Sequence, residues 1–418
     1  MSLIRKKTTA ALALALLNPA HATTTEVATG INRFGLDLHR RLAKGDDNLV
    51  VSPWSIETAL AMTYAGSAGK TKEEMANVLH FIDNEEKLHD GFSDLTTDLA
   101  KLAKASEERV ADAKKDGGPA TPLQINVANR LFGQKDYPFI QSFLDLNAEK
   151  YHSPLEKLDF RADPEGCRKH INQWVEIQTR DKIKDLIPQR VITADTSLVL
   201  TNAVYLKAPW AEEFRDEPDG EFHPRGKAAV KVPMLTRTGN YGHVQWPGTT
   251  AVTIPYADGG LQFVLFVPDA VDGLSDTEKS LNPERFAEAA KANAKKIELH
   301  FPSFKLEPER VMLAEELIAM GMPSAFDKPE GSADFSRMGP RKPNDYLFIS
   351  QVIHKAFIAV DKHGTEAAAA TAVLMPRALS MPQPEKPLVI RVDRPFVFAI
   401  QHIDSGACLF LGRVTDPR

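Results

Sequence analysis

Gly364-Thr365-Glu366-Ala367-Ala368-Ala369-Ala370-Thr371-Ala372-Val373-Leu374-Met375 carries a single carboxylate, no proline, and side chains that grow larger along its length. Spelled with a period of two, one face holds Thr365, Ala367, Ala369, Thr371, Val373 and Met375. That face has no charge and could enter the interior of a sheet. The opposite face holds Glu366 and further alanines. Composition alone favours a short alanine-rich helix or a flexible surface loop, and spacing does not show that a loop inserts.

The flanks are better defined. His354–Val360 precedes the stretch as a strand pattern, and the proline-rich Met381-Pro382-Gln383-Pro384-Glu385-Lys386-Pro387 follows it. Further strand patterns cover Ser197–Leu206, Thr250–Tyr256, Leu261–Val267, Lys296–Phe301 and Leu388–Val392. Phe396–His402 and Ala407–Val414, joined by Asp404-Ser405-Gly406, read as a terminal hairpin.

The first part of the chain is helical in pattern. Val27, Ile31, Phe34, Leu38 and Leu42 recur at helical spacing over residues 25–43. A second helix is expected from Ser52 as N-cap and Pro53 at the first position to a stop at Gly66. Charged, Ala-rich helical patterns continue to about residue 115, and Asp116-Gly117-Gly118-Pro119 is a loop. Leu123–Phe132 alternates as a half-buried strand, and helices are expected at about 138–151 and 164–183. Helices first and strands later indicate an α+β chain rather than βαβ repeats. No linker or internal repeat divides residues 23–418, so one domain is expected.

The chain has 418 residues, 43% hydrophobic and 26% charged, with a formal net charge of -5. Arg5-Lys6-Lys7, the apolar run Ala10–Leu17, Asn18-Pro19 and Ala20-His21-Ala22 read as a signal peptide of bacterial character, with cleavage expected after Ala22, the alternative being an ordinary Ala/Leu-rich helix. The expected location is therefore periplasmic or secreted. Removing residues 1–22 takes away Arg5, Lys6 and Lys7 and no acid, which moves the charge from -5 to -8. An acidic protein has no electrostatic reason to seek nucleic acid. No later segment has the ~18 consecutive apolar residues of a membrane span. Cys167 and Cys408 are read as two buried thiols, with a single bond between them as the alternative.

Catalytic signatures are missing. Ala65-Gly66-Ser67-Ala68-Gly69-Lys70-Thr71 ends like a phosphate-binding loop, but Tyr64 stands where its first glycine belongs and a helix precedes it where a strand is required. There is no G-x-S-x-G, H-E-x-x-H or C-x-x-C, and the twelve histidines are scattered. No metal, no cofactor and no enzyme activity are expected, and no basic cluster suggests heparin-like activation.

At the Gly364 stretch the sequence resembles the serpin family, and the resemblance runs over nearly the whole mature chain. Its marks are Gly364 to Thr371, preceded by His354-Lys355-Ala356; Asn48-Leu49-Val50-Val51-Ser52-Pro53-Trp54-Ser55-Ile56; and Asn172-Gln173-Trp174-Val175 with Lys182-Ile183-Lys184-Asp185-Leu186-Ile187-Pro188. Thr201-Asn202-Ala203-Val204-Tyr205-Leu206-Lys207 with Trp210, and Asp393-Arg394-Pro395-Phe396 with Phe410-Leu411-Gly412-Arg413-Val414, complete them.

The resemblance implies a large central mixed sheet, two further sheets and about nine helices. It implies an exposed reactive-centre loop over about 364–387, with a hinge at Gly364, Thr365, Glu366, Ala367, Ala368, Ala369, Ala370 and Thr371. A target serine protease cuts such a loop, forms an acyl-enzyme, and is trapped as the loop enters the central sheet as a new strand. Family spacing places the bond at Ala378–Leu379. Ala378 would suit an elastase-like enzyme, Arg377 a trypsin-like one, and Leu379 or Met381 a chymotrypsin- or subtilisin-like one. Ser52, Ser55, Asn202 and His354 match the family's polar cluster beneath the central sheet. Two departures stand out: Lys362 replaces the family's usual acid near the loop's entry, and Pro376 lies close to the expected bond. The expected partner is a serine protease met by a monomer; the alternative is a non-inhibitory member acting as a binding or structural protein.

Overall fold

The computed structural model of the chain describes residues 19–115, 121–343, 345–366 and 386–418. Helix α1 (Pro19–Leu42) starts before the expected residue 25, because proline is tolerated in a first turn where its missing N–H has no partner to lose. Strand β1 (Leu49–Val51) leads into α2 (Pro53–Tyr64). The α2 cap is as the sequence indicates: Ser52 accepts from the Ser55 N–H, and proline opens the helix. Helices α3 (Gly69–Val78) and α4 (Glu85–Lys115) follow, so the phosphate-loop-like run joins two helices and lacks the strand that motif needs.

Every residue of α2 is buried, including Glu57, whose two carboxylate oxygens have no partner. Burial raises this carboxyl well above its ordinary value, so it is held neutral. A raised folded pKa favours folding below the unfolded pKa and loses that advantage as pH rises. Glu57→Met is therefore expected to raise the unfolding midpoint, by about 1–3 kcal/mol in stability, with a larger gain at pH 8 than at pH 5. Urea unfolding at both values checks this, and an equal or lower midpoint for the variant would contradict it.

The strand expected at Leu123–Phe132 breaks into β2 (Gln124–Val127) and β3 (Arg130–Gln134), on either side of Ala128 and Asn129. After α5 (Gln141–Tyr151) and β4 (Glu156–Leu158), α6 (Pro164–Gln178) ends before the expected residue 183. The Thr179 hydroxyl bonds back to the Val175 carbonyl and accepts from the Ile183 N–H, and Arg180 and Asp181 turn to positive φ. This puts Lys182 in a loop.

The remaining elements in chain order are β5 (Leu198–Pro209), β6 (Arg215–Phe222), β7 (Val230–Trp246), β8 (Thr249–Pro255), β9 (Leu261–Pro268), α7 (Leu274–Ser280) and α8 (Pro283–Ala290). Then come β10 (Ala294–Pro302), β11 (Phe304–Leu306), β12 (Val311–Met312), α9 (Ala314–Met320), β13 (Val352–Val360), β14 (Gly364–Thr365), β15 (Leu388–Arg391), β16 (Phe396–His402) and β17 (Cys408–Val414). Among the described residues this makes nine α-helices. The α+β class and the terminal hairpin β16/β17 are as expected.

One mixed eight-stranded sheet runs β11-β13-β14-β5-β3-β4, with β12 on β13 and β2 on β5. The two further sheets expected are the two arms of one nine-stranded array, continuous through the long β7, which pairs with β8 towards one end and with β6 and β10 towards the other. The eight-stranded sheet is covered on both faces. Leu200, Val204, Leu206, Val352 and Ala356 point into the main core, while Val199, Ala203 and Ile353 pack with Ile171 and Val175 of α6 and with Ile183–Ile187. This alternation assigns each position on β5 and β13 to an inner or an outer face.

Cys167 and Cys408 are both buried and free, the first of the two readings. Among the described residues no helix is long and apolar enough to cross a membrane, and no cluster could hold a metal ion.

Candidate functional site

The functional geometry centres on the seam between β5 and β13. These strands pair in parallel from Val352 opposite Leu200 to Phe357 opposite Tyr205. Beyond that point they part, and β14 fills the gap. Thr365 lies opposite Ala208 of β5 and Val360 of β13, antiparallel to both, and Gly364 lies opposite Pro209. Only glycine fits there: φ is +155°, and a Cβ would stand 2.2 Å from the Ala208 carbonyl oxygen.

The start of the hinge is firmly held. The Thr365 hydroxyl meets the Tyr256 hydroxyl at 2.5 Å on the inner face, and Tyr256 stacks on Trp210 with ring centres 4.7 Å apart. Trp210 donates its ring N–H to the Asp361 carbonyl and its backbone N–H to the His363 carbonyl, both at 2.9 Å. Asp361 Oδ1 accepts from the N–H groups of His363 and Gly364 at 2.7 and 3.1 Å. Lys362, the departure noted in the sequence, forms an ion pair with Asp216 of β6, and His363 stands 3.0 Å from Glu213. The cation is thus matched by an acid from the neighbouring array. At Glu366 φ swings to +47° and the N–H bonds to the Ala359 carbonyl at 2.7 Å, which ends the extended backbone of β14.

Farther down the seam, on the inner face, the four polar residues singled out in the sequence meet. The Ser52 N–H donates to His354 Nε2 at 3.1 Å, and the Ser52 hydroxyl donates to the Leu409 carbonyl at 2.6 Å. Because Nε2 accepts, Nδ1 carries the proton and donates to Asn202 Oδ1, directly across the seam. Asn202 donates in turn to the Ser55 hydroxyl and to Asn129 Oδ1, each at 2.7 Å. Asn129 was not recognised from the sequence. It occupies the break between β2 and β3 and also donates to the Ser55 carbonyl at 3.0 Å. An asparagine inside a strand pattern is the one local signal that could have marked it.

Burial alone lowers the His354 pKa to about 3, so the ring is neutral. A depressed histidine pKa gives stability that is complete above the ordinary value near 6.5 and is lost as pH falls towards 3. The slope is about 1.4 kcal/mol per pH unit. His354→Ala removes that slope and strands the Asn202 carbonyl and the Ser52 N–H, each worth about 1–3 kcal/mol. The variant is expected to polymerise faster on warming at pH 7.5 on a native gel; polymerisation at the wild-type rate would count against this role.

Of the expected hinge, Gly364, Thr365 and Glu366 are described, whereas Ala367, Ala368, Ala369, Ala370 and Thr371 lie outside the described residues. So do Pro376, Arg377, Ala378, Leu379 and Met381.

Comparison with known proteins accounts for this arrangement. The family model described as serpin (serine protease inhibitor) matches residues 29–417. The leukocyte elastase inhibitor of Equus caballus is 34% identical over 405 residues, covering 94% of this chain and 100% of that protein. An uncharacterised serpin-like protein of Thermococcus kodakarensis is 34% identical over 397 residues, covering 94% of this chain and 86% of that protein. Uncleaved ovalbumin shares the fold with a TM-score of 0.77 at 24% identity, over 94% of this chain and 100% of that one.

Proposed function

The chain belongs to the serpin family, and from that premise we propose that it is a serine protease inhibitor acting as a suicide substrate. One observation carries the reading: Thr365 already lies between β5 and β13 as a third strand, antiparallel to both. Six residues beyond Thr365 is Thr371, six before Ala208 is Asn202, and six before Val360 is His354. A loop continuing in the same register therefore brings Thr371 between the two residues whose hydrogen bond closes the seam. Thr365, Asn202 and His354 all face inward, and in that register Thr371 would share their face. Its hydroxyl can accept from His354 Nδ1 and donate to Asn202 Oδ1, replacing the bond that its entry breaks.

In this account the protease serine attacks the carbonyl carbon of Ala378. An ester forms, the Ala378–Leu379 amide breaks, and the segment from Leu379 leaves with a new amino group. The freed strand then enters the seam and carries the acylated protease with it before water can cleave the ester. Ala378 suits an elastase-like pocket, and the name of the horse relative supports the same choice; Arg377 and Met381 are the alternative specificity residues. The inhibitor acts as a monomer, one per protease, without a cofactor.

Titrating an elastase-like and a subtilisin-like enzyme with the protein tests the reading. Activity is expected to fall in proportion to added protein and to stay lost on dilution, whereas turnover of the protein with full activity retained would contradict it. Export belongs to the same proposal. Removal of residues 1–22 leaves Thr23 as the first residue of the periplasmic or secreted form, and N-terminal sequencing of that form from a bacterial host checks it.

A further inference from the structure

On the outer face of the seam, Lys182 touches each element that loop entry has to move. It stands in the turn after α6, and its ammonium forms an ion pair with the carboxylate of Glu366. The same ammonium lies 5.9 Å from the ring centre of Tyr205 and 5.7 Å from that of Phe357. These two rings, 6.5 Å apart, are the last opposed pair of the parallel ladder before the strands diverge. Burial, and then the nearby Glu366 carboxylate, raises the Tyr205 phenol. A second cation, Lys305, approaches Phe357 at 5.4 Å and is paired with Glu307.

We propose that Lys182 is a positioning residue that clasps the seam shut and the hinge out, and so sets the rate at which the loop enters. The proposal rests on the inhibitory reading above. In the register begun by Thr365, residue 368, three beyond Thr365, arrives opposite both Tyr205, three before Ala208, and Phe357, three before Val360. Those rings must part first. The cation attracts both ring faces at once, so separating them costs at least one of the two contacts.

Entry also requires Glu366 to give up its left-handed backbone for an extended one. A non-glycine residue at φ +47° is strained, and its return to the strand would be favourable on its own. The ion pair with Lys182 opposes that return. Once the rings separate, the residue that must pass between them is an alanine, Ala368, which needs little room.

The test uses the intact chain and a labelled synthetic peptide with the sequence of residues 364–375, whose uptake is followed on native gels. Lys182→Gln is expected to take up the peptide about tenfold faster than the wild type. Lys182→Arg, which keeps the cation, is expected to stay within about twofold. Glu366→Gln alone is expected to accelerate uptake, and Lys182→Gln is expected to add less in that background than it does alone, the remainder being its hold on the two rings. Equal uptake by wild type and Lys182→Gln would overturn the clasp while leaving insertion intact. No uptake by any variant, together with no thermal stabilisation on loop cleavage, would remove the inhibitory reading and the clasp with it.

Discussion

Cutting the chain between Glu366 and Lys386 with a non-target protease is expected to raise the thermal midpoint by more than about 10 °C, the shift made by roughly 5 kcal/mol in a large domain. The reason lies in how the segment is tied. At one end Thr365 is fixed between β5 and β13; at the other, Leu388–Arg391 is fixed in parallel on β10. With both ends anchored the segment cannot run down the seam, so on the proposed reading the uncut protein would be held kinetically in a state that is not its most stable one. Cleavage frees one end. The parallel pairing from Val352/Leu200 to Phe357/Tyr205 is then replaced by two antiparallel ladders, one on each side of the new strand. Val373 and Met375 enter on the inner face, where Leu200, Val352 and their neighbours supply apolar contacts. Differential scanning calorimetry before and after a single cut, with the cut located by mass, checks this. A midpoint that stays within about 2 °C would mean that the seam does not accept the loop, since a strand gained inside a sheet cannot be that small in effect.

Thr371→Arg is expected to turn the inhibitor into a substrate. In the register begun by Thr365 the inserted position would reach the level of the Asn202–His354 bond, where both side chains are fully buried and His354 is neutral. A guanidinium there meets no carboxylate within the Ser52, Ser55, Asn129, Asn202 and His354 cluster, and an unpaired buried ion costs several kcal/mol. A barrier raised by even about 3 kcal/mol slows insertion roughly a hundredfold, long enough for water to cleave the ester. The trapped fraction should fall by more than about tenfold while the rate of loop cleavage stays near wild type, because residue 371 is remote from the expected bond. Thr371→Ser keeps the hydroxyl and is expected to trap normally. An unimpaired Thr371→Arg would show that the register set by Thr365 does not continue.

Features governed by neighbours in the chain could be read directly. Ser52 and Pro53 announce the start of α2 through a local cap, and Asp404-Ser405-Gly406 announces a turn between two apolar runs. Features governed by distant partners could not. The β6 stretch Arg215-Asp216-Glu217-Pro218-Asp219-Gly220-Glu221-Phe222 has the composition of a loop and is a strand because β7 offers it a ladder. The pairing of His354 with Asn202 joins residues far apart in sequence and in parallel, and only the family resemblance suggested that they meet. Asn129 and Lys182 were missed for related reasons. One depends on where a strand is interrupted, and the other was hidden by a helix pattern that runs past Gln178 until Thr179 ends it. The reactive-bond residues Arg377, Ala378, Leu379 and Met381 still rest on family spacing.

The most direct measurement mixes the chain lacking residues 1–22 with elastase-, trypsin-, chymotrypsin- and subtilisin-like proteases, then combines a denaturing gel with mass analysis of the released C-terminal peptide. The account predicts a band of protease joined covalently to inhibitor that survives denaturation, with a released peptide beginning at Leu379. Clean cleavage by every protease with no such band would contradict it.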